Sequence, residues 1–254
     1  MKILFTICGR AGSKGIKNKN IIDFLEYPLP FYTVSVIELY KKQNPDLYCD
    51  VVLNTDSKEL MDLFTNKLNF SVDIIERKEN LGLDNTPKIE VIKNCYEVMK
   101  NKKLIDYDLV VDLDITSPLR TVSDVSNLIN MKLDDGATDI VFSVTASRRN
   151  PYFNMVKKTD HGYGRVITSD YNARQEAPEV FDMNASLYAY SPDFLVQRKG
   201  IFDGKCEAIV MQDTAVLDLD HESDLELMQV IAEFLYRKQV EYGEVRENIM
   251  NILK

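Results

Sequence analysis

The sequence predicts an α/β fold, a mainly parallel sheet with helices on both faces. Three observations carry this. Strand-like apolar runs alternate with helix-periodic segments from the first residues to about residue 145. Most of those runs are too apolar for a sheet exposed on one face, so both faces must be covered. The chain has 254 residues, 45% of them hydrophobic and 28% charged, which is ample for one large core.

Strands are expected at 2–8, 50–54, 71–75, 108–113 and 139–145. Between them, 31–42 places Tyr32, Val36, Leu39 and Tyr40 at helical spacing. The stretch 58–68 opens behind Asp56, with Glu59 three residues on, a capping-box pattern. After Thr86, Pro87 stands at the first helical position, and Ile89, Ile92, Tyr96 and Met99 form one stripe. Thr121 with Asp124 caps a further stripe of Val125, Leu128 and Ile129. Beyond residue 145 the rhythm changes. Runs at 152–157 and 163–168 flank the turn Asp160-His161-Gly162, as in an antiparallel hairpin, and a short strand pattern follows at 185–191. The whole of 146–190 reads as an insertion projecting from the sheet of a single domain spanning 1–254, an arm suited to a subunit contact. A last strand at 207–212 leads through an acidic loop to one long helix from Glu222, with Leu225, Met228, Ala232 and Leu235 as its core stripe.

Composition excludes several function classes. No run of 18 apolar residues occurs, and the N-terminal apolar run stops at Gly9-Arg10, so neither a membrane span nor an export signal is expected. Cys8, Cys49, Cys95 and Cys206 are widely spaced, as in a cytoplasmic protein with reduced thiols and no structural zinc. A net charge of −9 opposes binding to nucleic acid. The two histidines, His161 and His221, have no partners suggesting a nucleophilic triad.

Against that acidic background, residues 9–20 are basic and glycine-rich. Arg10, Lys14, Lys17 and Lys19 carry four positive charges with no acid among them, and Gly9, Gly12 and Gly15 let backbone N–H groups approach an anion. A triphosphate near neutral pH carries about −4, and over a Debye length of about 8 Å the local field outweighs a distant acidic surface. The pattern is neither G-x-x-x-x-G-K-[ST] nor G-x-G-x-x-G, which removes P-loop and dinucleotide-binding readings; a solvated basic turn would have the same composition.

Two acidic pairs follow. Asp112-Leu113-Asp114 ends a strand, so both carboxylates point to one side, and Asp218-Leu219-Asp220 repeats the spacing after the last strand. Carboxylates at carboxyl ends of strands lie where open α/β sheets bind ligands, and oxygen ligands suit Mg²⁺; a helix cap is the plainer alternative for each pair. Thr116-Ser117-Pro118-Leu119-Arg120 offers hydroxyls and a guanidinium to a substrate, as do Arg148-Arg149, Arg174-Gln175 and Asn184 in the arm, although surface arginines are common.

The order of these segments, from the loop 9–20 through Asn54-Thr55-Asp56-Ser57 and Thr116-Ser117-Pro118-Leu119-Arg120 to Arg174-Gln175, Asn184 and Asp218-Leu219-Asp220, resembles the acylneuraminate cytidylyltransferase family, the CMP-sialic acid synthetases. The resemblance covers nearly the whole chain. It implies a Rossmann-like nucleotidyltransferase fold with an inserted antiparallel dimerisation arm, a homodimer, and the reaction of CTP with a nine-carbon nonulosonic acid to give CMP-nonulosonate and pyrophosphate. It further implies Mg²⁺ on Asp218 and Asp220 and catalysis by Arg10, Lys14 and Asp220, while the acidic pair itself offers Asp114 as a third candidate metal ligand. Nucleotide binding falls to Arg10, Gly12, Ser13, Lys14, Lys19, Asn20, Arg77 and Lys88, and substrate binding to Asp114, Thr116, Ser117, Arg120, Arg148, Arg174 and Asn184.

Three departures bear on the substrate. Asp114 stands where the family usually has Gln, Lys88 where it has a small hydroxyl residue, and Ala185 where Gly follows the arm's Asn. With Asp182-Met183-Asn184-Ala185-Ser186 the pattern is similar to the branch acting on legionaminic-type bacterial nonulosonates. A 3-deoxy-manno-octulosonate cytidylyltransferase, a glycosyltransferase using a D-x-D metal site, and a non-catalytic nucleotide-binding protein of this fold are the alternatives.

Overall fold

In chain order the strands are β1 (Lys2–Gly9), β2 (Asp23–Phe24), β3 (Tyr27–Pro28), β4 (Tyr48–Thr55), β5 (Asp73–Glu76) and β6 (Leu109–Leu113). They continue with β7 (Ile140–Ala146), β8 (Val156–Thr159), β9 (Gly162–Arg165), β10 (Phe181–Tyr190) and β11 (Cys206–Val210). The helices are α1 (Pro30–Gln43), α2 (Lys58–Lys67), α3 (Lys88–Lys103), α4 (Val122–Asp134), α5 (Pro192–Gln197), α6 (Glu222–Lys238) and α7 (Val240–Ile252). The structure, a computed structural model, describes residues 1–12, 15–171, 173–197, 200–215, 219 and 221–254.

Seven strands form the main sheet, in the order β11-β7-β10-β6-β1-β4-β5. Every neighbouring pair is parallel except the two made by β10. Alternation along each strand divides the core. Ile3, Phe5 and Ile7 of β1 and Leu109, Val111 and Leu113 of β6 face the layer of α1, α2, α4, α6 and α7. Leu4 and Val110 face the opposite layer, of α3 and α5. Both faces are therefore buried, which is why these strands read as continuous apolar runs.

The structure corrects the extent of the insertion. Residues 181–190 do not project: β10 lies inside the main sheet, antiparallel to β6 and β7, with Leu187 and Ala189 in one core layer and Tyr188 and Tyr190 in the other. Between β7 and β10, residues 147–180 hold β8 and β9, which among the described residues form a two-stranded sheet of their own. The long C-terminal helix is two helices that meet at Gln239, whose backbone is extended. The apolar stripe Met228, Ala232, Leu235, Tyr242, Val245, Ile249 keeps its period across that break, so periodicity conceals it.

Local signals also shift. Ser57, not Asp56, caps α2, its Oγ accepting from Leu60 N at 3.2 Å. Pro87 is the cap of α3 rather than its first residue, which is Lys88. The capping box of α4 is present as expected, with Thr121 and Asp124 bonded reciprocally.

Candidate functional site

After β1 the chain builds β4 and β5 on one side, then crosses to build β6 on the other, so the carboxyl end of β1 is a topological switch point. A cleft of about 320 Å³ opens there. Its walls include Cys8, Arg10, Lys19, Asn20, Arg77, Asp84, Lys88, Asp114 and Thr116, which bring together the ends of β1, β5 and β6 and the start of α3.

The basic loop is held from several directions. Ala11 N donates to Asp56 Oδ1 at 2.7 Å, and Asn20 Nδ2 donates to the Arg10 carbonyl at 2.9 Å. The Arg10 guanidinium is ion-paired with Asp84. Gly12 has φ +73°, in the left-handed region that a glycine enters without strain. Gly9 is required for a different reason: a Cβ there would lie 2.7 Å from Leu60 Cδ2 and 2.8 Å from Ile115 Cδ1. Lys19 Nζ donates to the Leu219 carbonyl at 2.7 Å, which puts Leu219 beside the cleft. Ser13, Lys14, Asp218 and Asp220 lie outside the described residues.

Arg77 reaches the cleft from beyond β5. Its Nε donates to Asn54 Oδ1 at 2.8 Å and its Nη2 to the Asn54 carbonyl at 2.9 Å, and it is only 8% exposed. A guanidinium held this rigidly suits the polar edge of a base, since little conformational freedom remains to be lost on binding.

Asp112 and Asp114 do point to one side, as alternation requires, and both meet Lys88. Lys88 Nζ lies 2.7 Å from Asp112 Oδ2 and 2.6 Å from Asp114 Oδ2. Asp112 is wholly buried, its Oδ1 accepting from Thr6 Oγ1 at 2.7 Å. Asp114 Oδ1 accepts from Thr116 N at 2.8 Å and from Thr116 Oγ1 at 2.7 Å. Burial works against the charge on Asp114, and Lys88 with the Thr116 donors overcomes it, holding the carboxyl well below the usual range. Burial likewise works against the Lys88 ammonium, and the two carboxylates push it well above its ordinary value.

Several expected residues lie elsewhere. Arg120 is 1% exposed; its Nη1 donates to the Ser186 carbonyl and its Nη2 to Thr33 Oγ1, so it braces the fold instead of facing a substrate. Ser117 is buried and donates to Ser186 Oγ. Arg148 is ion-paired with Asp213, Arg174 donates to the Ser147 carbonyl, and Asn184 Oδ1 accepts from Ser143 Oγ and Ser186 N; none of the three lines the cleft of its own chain. The carboxylate of Asp114, the third candidate metal ligand, is bonded here to Lys88 and Thr116. Among the described residues no three His, Cys, Asp or Glu side chains gather as a metal-binding group. The sequence reading gave Asp84 and Asp56 no role in the site, since their partners lie 74 and 45 residues away.

A family model described as Cytidylyltransferase matches residues 4–243. The chain is 31% identical over 234 residues to "Post-translational flagellin modification protein B" of Campylobacter coli, covering 91% of this chain and 94% of that protein. It is 30% identical over 230 residues to "CMP-N,N'-diacetyllegionaminic acid synthase" of Campylobacter jejuni, again covering 91% and 94%. Among solved structures, a CMP:2-keto-3-deoxy-manno-octonic acid synthetase complexed with CTP superposes with a TM-score of 0.64 at 16% identity, over 92% of this chain and 99% of that one, a likeness of fold.

Proposed function

The chain belongs to the cytidylyltransferase family, and from that premise we propose that it activates a nonulosonic acid of the legionaminic type as its CMP ester. The anomeric hydroxyl of the acid attacks the α-phosphorus of CTP, the bond from that phosphorus to the bridging oxygen breaks, and pyrophosphate leaves. In-line displacement of this kind needs positioning and charge neutralisation more than a covalent nucleophile. The carrying observation is the convergence of Arg10, Lys19, Asn20 and Arg77 on one cleft at the carboxyl ends of β1, β5 and β6.

Within that cleft Arg10 and the backbone around Gly12 take the phosphates, with Arg10 leaving Asp84 as it does so. Arg77 takes the cytosine side, and Asp114 and Thr116 face the sugar acid. Lys14 is assigned to the leaving pyrophosphate. Asp218 and Asp220 flank Leu219, which Lys19 ties to the edge of the cleft; these hard oxygen donors fit Mg²⁺, which would neutralise phosphate charge when bound. Turnover in Lys14→Ala and in Asp220→Asn should fall by roughly 10²–10³, the cost of one lost charge contact to the transition state, with folding intact. Near-normal rates in both would remove these residues from the mechanism.

The proposed assembly is a homodimer made through the arm. A lone two-stranded hairpin is at best marginally stable in water, and here Val156 and Tyr163 of β8 and β9 stand exposed. Light scattering at micromolar concentration should give the mass of two chains; the mass of one contradicts the arm's role.

The activity is tested by pyrophosphate release from each of four nucleoside triphosphates with legionaminic, pseudaminic, sialic and octulosonic acids, with and without Mg²⁺. Release with CTP and a nine-carbon acid is expected. Release with octulosonic acid alone would move the enzyme to that substrate class, and CTP binding without release for any acid would make the protein a non-catalytic binder.

A further inference from the structure

Lys88 occupies the first position of α3, where the helix dipole disfavours a cation. It is kept there by carboxylates. Val110 marks the face of β6 that packs against α3, so residues 112 and 114, two and four further on, meet the start of that helix. Asp112 sits fully buried with Thr6 and Lys88 as its partners, and the Lys88 ammonium also lies 5.8 Å from the ring centre of Tyr188. Two carboxylates around one ammonium leave a local charge of −1, which repels a polyphosphate instead of gripping it. The expectation that Lys88 binds nucleotide therefore does not suit its surroundings.

A carboxylate has about four acceptor positions, and Asp114 has three donors: Thr116 N, Thr116 Oγ1 and Lys88 Nζ. Its side chain is 23% exposed at the cleft wall. One acceptor position on Oδ2 is left for a ligand, in an orientation fixed by the other three bonds.

We infer that Asp112 and Lys88 are positioning residues that aim Asp114 at an O–H or N–H donor on the sugar acid, making Asp114 a specificity-determining residue. This rests on the cytidylyltransferase reading above. The buried carboxylate anchors the ammonium, the ammonium and Thr116 fix Asp114, and an acid presenting a donor at that point is selected over one presenting an acceptor.

The experiment is steady-state pyrophosphate release with separate KM values for CTP and for the best acid. Asp114→Asn should raise the KM of the acid roughly 10- to 100-fold, the size of a lost hydrogen bond to a charged group, with the KM of CTP unchanged. Lys88→Met alone strands a buried carboxylate and can prevent folding, so the companion variant is Lys88→Met with Asp112→Asn, which removes both charges of the pair. It should raise the acid KM in the same way, spare CTP, and add little to Asp114→Asn when combined with it, as residues acting as a unit do. A higher KM for CTP in the companion variant, or an unchanged acid KM in Asp114→Asn, overturns the inference while leaving the activity intact. A wild-type enzyme releasing no pyrophosphate with any acid overturns the activity and the inference together.

Discussion

Arg77 and Arg120 are both buried arginines, yet only Arg77 lines the cleft. Among the described residues no carboxylate is bonded to Arg120, and burial pushes its guanidinium down to about 10. Arg120→Ala should therefore cost about 2–4 kcal/mol in stability, from the emptied volume and the unpaired Ser186 carbonyl, and leave the KM of both substrates near wild type in the folded fraction. Urea unfolding beside steady-state kinetics checks this; a selective rise in the acid KM would return Arg120 to the substrate. Gly9→Ala is a second residue-scale case. Its methyl group would press on Leu60 and Ile115 in a packed core, and overpacking of this kind costs about 1–3 kcal/mol, measurable as a lower urea midpoint. The sequence signalled glycine at position 9 through loop composition, whereas its reason is packing against residues 51 and 106 positions away.

At the scale of elements, local chemistry was readable where a signal is local. Thr121 and Asp124 announce the start of α4 and form the expected box; Thr121→Ala should cost about 1 kcal/mol by thermal unfolding. The place of β10 was not readable, because strand order depends on pairing across the sheet, and an antiparallel return strand has the same composition as an arm. Its irregularity carries a prediction. Ala185 has φ +52° at the register shift between Met183 and Tyr188, a conformation costing an L-residue about 1–2 kcal/mol. Glycine removes that strain and adds about 0.5–1 kcal/mol of unfolded-chain freedom. Ala185→Gly should thus raise the melting temperature slightly, by the equivalent of about 0.5 kcal/mol; a clear fall would mean that the Ala185 methyl group makes a packing contribution larger than the strain.

For the whole molecule, the sheet's switch point collects charges scattered over the sequence into one cleft, and their pairing sets a pH window. Asp114 is held below its unfolded value of about 3.9, so its stabilising contribution is complete above that value and is lost as pH falls through the folded one. Lys88 is raised, so its contribution is complete below about 10.4 and is lost as pH climbs through its folded value. Stability of wild type relative to Asp114→Asn should be flat between about pH 5 and 9 and converge in acid; denaturant midpoints across pH check it, and a gap that widens in acid contradicts the pairing. The α/β class, the two-sided burial of the sheet and the basic loop were legible because periodicity and charge are written along the chain. That Lys88 pairs with both Asp112 and Asp114, or that Asp84 meets Arg10, follows only from the crossover that places β6 and the start of α3 beside β1. The most direct measurement is a crystal structure with CTP and Mg²⁺. The phosphates should lie within hydrogen-bonding distance of Arg10 and the backbone at Gly12, with cytosine beside Arg77; CTP bound away from the carboxyl end of β1 would contradict this site.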